Sequence, residues 1–226
     1  MVEKRYERNI GAISEAEQEK LRQSRVLIVG CGGLGSTVLM HLLRVGVGHI
    51  TVVDGDVFDE TNLNRQLLCT TANIGLPKVS AAAEYAALIA PDTELRTVQT
   101  MFGEDNADGL LRGHELAVDA LDNVAARKTL AAACDRAGVP LAYGAISGFS
   151  AQTGVFMPGE AARLMDTLYP SEASGDKSCL SFTPGVCASL QSAQAVKLLL
   201  GRPCELDGRL LYIDLLFDEW QYINLK

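Results

Sequence analysis

A short glycine-rich turn between a strand-like run and a helix-like run constrains this chain more than any other feature. Gly30-Cys31-Gly32-Gly33-Leu34-Gly35-Ser36 follows the apolar run Val26-Leu27-Ile28-Val29 and opens a helical pattern. Gly30, Gly32 and Gly35, with Gly33 among them, let a strand turn sharply into a helix and bring backbone N–H groups against a phosphate chain. The helix N-terminus then faces that charge with its unpaired donors and positive dipole end. Asp54 closes the next apolar run, Ile50-Thr51-Val52-Val53, at the distance expected of an acceptor for a ribose hydroxyl. Taken alone, the turn predicts a bound nucleotide and, by default, a nicotinamide-dependent dehydrogenase. The residues after Asp54 point elsewhere.

With 226 residues, 48% of them hydrophobic, the chain can bury a full core and reads as one domain over residues 1–226. A net charge of −8 argues against nucleic acid or an anionic membrane as a partner for the whole surface. Met1-Val2-Glu3-Lys4-Arg5-Tyr6 is charged rather than apolar, unlike a signal peptide, and no apolar run is long enough to span a bilayer. Cys31, Cys69, Cys134, Cys179, Cys187 and Cys204 show no framework spacing, which suits reduced thiols and a cytoplasmic location.

Periodicity alternates between strand and helix along the chain. A capping box at Ser14 and Glu17 starts a short helix, completing an N-terminal arm and helix over residues 1–24. The pattern then predicts strands at 25–29, 49–54, 95–98, 116–120 and 141–145, with helices at 36–45, 78–89, 105–111 and 124–137 between them. Pro77 opens the second of these helices, Pro91 follows it, and Gly138 stops the last. Strand 151–156 follows, then a polar stretch from Pro158 to Thr183 read as irregular, a helix over 184–200, and two strands close enough to pair, 209–215 and 219–225. The expected fold is α/β: a Rossmann-like doubly wound sheet, mainly parallel, with C-terminal antiparallel strands making it mixed.

Three further places concentrate chemistry. Asp54-Gly55-Asp56 is followed by Asn62-Leu63-Asn64-Arg65-Gln66, a set that a dehydrogenase does not require. A triphosphate does: Arg65 can neutralise phosphate oxygens bidentately and Asn62 can hydrogen-bond them without adding charge, although a polar surface loop with an N-cap would look similar. Lys78 stands at a helix start, where the dipole disfavours a cation, and a bound polyphosphate would supply the compensating anion. Asp119-Ala120-Leu121-Asp122-Asn123 closes a strand, with Arg127 a helical turn on. Carboxylates at that sheet edge sit where ligands bind in open α/β folds, and Asp122 is the one expected to hold Mg²⁺ against phosphate oxygens. Asn123 reads as a helix N-cap that can also serve the site.

Together these residues resemble the ThiF/MoeB/HesA family, prokaryotic relatives of the ubiquitin-activating enzymes. The matching elements are Arg5–Asn9, Gly30–Ser36, Val52–Asp56, Asn62–Gln66, Gly75–Lys78, Asp119–Arg127 and the helix from Ser189 to Leu200, nearly the whole chain. The resemblance implies ATP-dependent adenylation of the C-terminal glycine carboxylate of a small ubiquitin-fold carrier ending in Gly-Gly. Such carriers deliver sulfur for thiamine, molybdenum-cofactor or related biosynthesis. By position it places Gly33 against the nucleotide, Asp54 on the ribose, Asn62, Arg65, Gln66 and Lys78 on the phosphates, and Asp122 as the Mg²⁺-linked carboxylate. It also makes Arg8 the arginine given to the opposite subunit's site, hence a homodimer, and residues 157–183 a crossover loop over the site. Cys179 in that loop, after Lys177, matches a cysteine that links covalently to the carrier, and an accessible thiolate is expected there. Cys187 reads as core of the following helix.

Two departures stand out. The paired Cys-x-x-Cys motifs of a structural zinc site are missing, and His41, His49 and His114 lie too far apart in sequence to replace them, so zinc is not expected. No sulfurtransferase segment follows the last strand, so a separate protein is expected to donate the persulfide. Other readings are a nucleotide-holding pseudo-enzyme that docks a carrier, and adenylation of a tRNA or peptide carboxylate instead.

Overall fold

The computed structural model describes residues 2–171 and 178–226. Lys177, invoked above as a neighbour of Cys179, lies outside them. Among the described residues eight strands form one sheet in the order β3-β2-β1-β4-β5-β6-β7-β8. These are β1 Arg25–Val29, β2 His49–Val53, β3 Glu94–Val98, β4 Leu116–Asp119, β5 Leu141–Ser147, β6 Ser150–Phe156, β7 Arg209–Asp214 and β8 Glu219–Asn224. The first five in spatial order are parallel and β6, β7 and β8 are antiparallel, the mixed sheet that the periodicity predicts.

The helices are α1 Glu15–Gln23, α2 Gly33–Val45, α3 Lys78–Ile89, α4 Glu104–Leu111, α5 Val124–Ala137, α6 Ala161–Leu168 and α7 Phe182–Leu200. They cover both faces. Val26 and Ile28 of β1 point into one core with Leu39, Leu42, Val79 and Cys187, while Leu27 and Val29 point into the other with Leu110, Leu130, Leu164 and Met165. A strand buried on both sides cannot alternate apolar and polar, which is why 26–29 is an unbroken apolar run.

Register sets the site. Val29 pairs with Val53 on one side and with Asp119 on the other. Gly30, Asp54 and Ala120 therefore leave the sheet at one level, where the chain order reverses between β1 and β4 and a crevice opens in doubly wound folds.

Several elements differ from the sequence reading. Helix α2 begins at Gly33, so Gly33 and Gly35 form its first turn rather than a loop before it. The stretch from Pro158 to Thr183 holds α6, with Ala161, Leu164 and Met165 buried against α5. Its own sequence carries no capping side chain; Asp135 at the end of α5 supplies the cap, accepting from the N–H groups of Gly159 (2.7 Å), Ala161 (3.0 Å) and Ala162 (3.0 Å). A cap donated from another helix leaves no local signature. Helix α7 starts two residues before Pro184, which is tolerated because the first-turn N–H groups have no intrahelical partner.

In the N-terminal arm, residues Lys4–Asn9 form a 3-10 turn that buries Tyr6. Gly46 leaves room for the Tyr6 ring, and Asn9 donates to Gln18 at 2.8 Å and to the carbonyl of Val45 at 3.2 Å. The arm is held by its own chain. Arg8 projects from it exposed, without a hydrogen bond or ion pair among the described residues.

Candidate active site

The glycine turn is built by close backbone approach. Gly30 has φ +100°, and a Cβ there would meet the carbonyl oxygen of Ala120 at 2.4 Å. A Cβ on Gly35 would stand 1.9 Å from the carbonyl oxygen of Gly30. Neither obstacle is a side chain that can turn away, so glycine is required at both positions.

Asp54 sits at the end of β2 beside this turn. One carboxylate oxygen accepts the Cys31 N–H at 2.6 Å and the other the Asp56 N–H at 2.8 Å. The acid thus clamps the turn as well as facing the crevice. Cys31 itself is fully buried, and burial followed by the Asp54 charge pushes its thiol up to about 12, so it is chemically inert.

The Asn62–Gln66 segment packs directly on the glycines. The Arg65 backbone oxygen lies 3.1 Å, and its Cγ 3.5 Å, from where a Gly33 Cβ would be, and Gln66 Nε2 lies 3.6 Å from the equivalent point on Gly32. Arg65 is half-buried, with Nη1 donating to the Thr61 carbonyl (2.9 Å) and the Asn64 side chain (2.8 Å). Those bonds pre-orient the guanidinium and leave its other donors for a ligand. Gln66 is buried, and its Oε1 finds no partner among the described residues, an orphan that a bound group would satisfy. Asn62 is buried too; its Oδ1 accepts the Asp59 N–H at 3.0 Å within a reciprocal cap, so its oxygen is structural and its amide nitrogen remains for the site.

Lys78 corrects an argument from the dipole. The anion compensating its position at the start of α3 is internal: Nζ donates to Asp56 at 2.9 Å with the lysine buried. Asp56 therefore spends its charge on Lys78, and a phosphate bound there would share that ammonium with it.

The two acids at and just after the end of β4 have different fates. Asp119 is fully buried and pairs with buried Arg127 at 3.0 Å, so neither faces a ligand. Burial pushes the Asp119 carboxyl up. For Arg127 burial works downward, yet the Asp119 charge and the neighbouring Tyr143 hold it above its ordinary value. Asp122 is exposed and makes no bond among the described residues. Asn123 is the α5 cap, accepting the Ala126 N–H at 2.8 Å. Mg²⁺ is commonly held by one or two carboxylates plus substrate phosphates and water, so a single free carboxylate at this edge fits it. No group of three His, Cys, Asp or Glu side chains suited to a metal occurs among the described residues.

Cys179 lies at the rim. Its backbone bridges Gly148, its carbonyl accepts from Asn64 Nδ2 at 3.0 Å, and Arg65 is close enough to act on it electrostatically. Cys179 is half-buried; burial pushes its thiol up, and Arg65 opposes that shift. Cys187 is fully buried, as its helical setting predicts. A cavity of about 420 Å³ lies at the other edge of the sheet under the N-terminal arm, against Tyr6, Gln18 and Arg22, away from the glycine turn.

Sequence reasoning missed Gln191 and Tyr143. Gln191 Nε2 bridges the carbonyls of Asp119 and Ala142, both at 2.8 Å, stitching β4 to β5 beneath the site. Nothing local marks it, because its partners lie 72 and 49 residues away.

The ThiF family model matches residues 6–226. The chain belongs to the ThiF family. ThiF-family relatives include the SAMP-activating enzyme E1 of Haloferax volcanii, 35% identical over 93% of this chain and 80% of that protein. The molybdopterin-synthase adenylyltransferase of Escherichia coli is 35% identical over 92% of this chain and 86% of its own length. A crystal structure of E. coli MccB with ATP superposes with a TM-score of 0.84 at 22% identity, covering 99% of this chain and 72% of that one, a likeness of fold.

Proposed function

We propose that this ThiF-family chain is an ATP-dependent adenylyltransferase acting on the C-terminal glycine carboxylate of a small ubiquitin-fold sulfur carrier. The observation that carries the reading is the seating of Arg65 and Gln66 on Gly33 and Gly32. A cluster able to hold a triphosphate, laid on a glycine turn suited to phosphate, is superfluous for a dinucleotide and fits ATP. The curated relatives' names, adenylyltransferase and activating enzyme, agree with it.

In this reading a carboxylate oxygen of the carrier attacks the α-phosphorus of ATP. The bond from that phosphorus to the bridging oxygen breaks, and pyrophosphate leaves with its electron pair. Nucleophile and electrophile are both anionic, so the site supplies alignment and positive charge more than proton transfer. Arg65 and the Asp56-paired Lys78 line the phosphates, the glycine turn's N–H groups cradle them, and Asp54 faces the ribose. Asp122 would hold Mg²⁺, which when bound neutralises phosphate oxygens. The acyl-adenylate then offers an activated carbonyl carbon to a persulfide on a separate donor, with AMP as leaving group. Arg8, exposed and unpaired, is offered to the site of a second subunit in a homodimer. Cys179, half-buried at the rim, is assigned no step in this reading.

The test is carrier-dependent exchange of pyrophosphate into ATP. Arg65→Ala should lower the exchange rate by about 10²–10³. Tight NAD binding, with no exchange supported by any carrier ending in Gly-Gly, would sink the proposal.

A further inference from the structure

We propose that Tyr143 is a positioning residue for Asp122, acting through Arg127, with Gln152 and Tyr169 holding its hydroxyl. The inference rests on the adenylation reading, in which the Asp122 carboxylate faces the phosphates.

The turn that presents Asp122 is anchored on both sides and free only at that residue. On one side, Asp119 accepts the Leu121 N–H at 3.0 Å, and the Leu121 carbonyl accepts from Arg127 Nη2. On the other, Asn123 caps α5. Asp122 stands between them with its side chain exposed. Its direction is therefore set by where the Arg127 guanidinium holds the Leu121 carbonyl.

That guanidinium is held in turn. Nη1 donates to Asp119 at 3.0 Å and to the Gly144 carbonyl at 2.8 Å, and Cζ lies 5.3 Å from the centroid of the Tyr143 ring. A cation over an aromatic face is attracted by its quadrupole, more strongly where water is excluded. Tyr143 is fully buried, pairs in register with Asp119 on β4, and stacks on Phe156 at 5.3 Å.

The hydroxyl end of the ring is fixed by two hydrogen bonds. Gln152 Nε2 donates to the Tyr143 oxygen at 2.7 Å, and the Tyr143 and Tyr169 hydroxyls, 2.6 Å apart, share a second in which either can donate. Tyr169 is half-buried at the end of α6. A line of contacts thus runs from α6 through Tyr143 and Arg127 to the Asp122 turn. Loss of the Tyr143 hydroxyl orphans two groups and releases the ring against which the guanidinium rests.

The experiment compares wild type, Tyr143→Phe and Tyr169→Phe, with Ser150→Ala as control; the last removes a 2.9 Å hydroxyl bond to Tyr212 elsewhere on β6. Two readouts are taken: deuterium uptake by peptide segments, and steady-state pyrophosphate exchange. Tyr143→Phe should speed amide exchange at least fivefold within residues 119–127 while β1 and β2 stay as in wild type. It should also lower kcat about tenfold with the KM for ATP within twofold. Tyr169→Phe should act in the same direction with smaller size, and it keeps the test decisive should Tyr143→Phe fold poorly. Ser150→Ala should change neither readout. Wild-type uptake within 119–127 in both tyrosine variants would overturn the proposal, as would equal acceleration across the whole sheet. Should wild type exchange no pyrophosphate with any carrier, the adenylation reading falls, and deuterium uptake still decides whether Tyr143 sets the turn.

Discussion

Replacing Gly35 by alanine isolates the cost of the nucleotide turn from every question of chemistry. The added Cβ would stand 1.9 Å from the carbonyl oxygen of Gly30, some 1.5 Å short of the 3.4 Å at which ordinary contact begins. It would also lie 3.1 Å from the Ala120 Cβ, on the neighbouring strand end. The first obstacle is backbone, so relief requires moving either the turn or the start of α2, which packs on α7. Overpacking of this kind costs about 3 kcal/mol or more, which for a chain of this size lowers Tm by about 6–12 °C. Gly109→Ala is the matched control. Gly109 lies exposed within α4 with nothing within 4 Å of its would-be Cβ, so the same methyl should stabilise by about 0.5–1 kcal/mol. Urea unfolding of both variants, with ATP titration of the folded protein, checks the pair: Gly35→Ala should lose stability and nucleotide affinity, and Gly109→Ala neither. Stabilities within about 1 kcal/mol of each other would refute the steric argument.

Three further outcomes follow from named contacts. Inactive Arg8→Ala mixed with inactive Asp122→Asn should recover part of the exchange activity if each site takes Arg8 from its neighbour; no recovery despite proven subunit exchange would place Arg8 in its own chain's site. Asp135→Ala strips α6 of its borrowed cap and should cost about 2 kcal/mol in urea unfolding, and an unchanged midpoint would show that packing alone holds the helix. His114, bonded to Thr51 at 2.9 Å, has its pKa lowered from the usual 6.5 chiefly by burial. The folded state therefore favours the neutral ring, so its contribution is complete above pH 6.5 and is lost as pH falls through the lower folded value. Urea midpoints between pH 7.5 and 5.5 should fall less in His114→Gln than in wild type; equal falls would assign the acid sensitivity elsewhere.

Much of the architecture was written locally. Apolar runs of strand length, the capping box at Ser14, the stop at Gly138 and the glycine turn each act within a few residues, and the structure places those elements within a residue or two of the expected bounds. Helix α2 is the exception, starting at Gly33 because the glycines are its first turn. The gathering of Gly30, Asp54 and the Asp119–Asn123 turn at one edge was legible as well, since parallel strands in a doubly wound order bring their C-terminal ends together. What the side chains do at that edge was decided only by tertiary contact. Lys78 takes Asp56 as its counter-ion across 22 residues, Asp119 turns inward to Arg127 while Asp122 stays exposed, and Cys179 comes to lie half-buried near Arg65. Helix α6 exists where the sequence showed a loop because its cap sits on another helix. The division has a physical reason. Propensity, periodicity and turn chemistry are short-range properties of the chain, whereas charge pairing, desolvation and borrowed caps depend on groups that meet only once the sheet has formed.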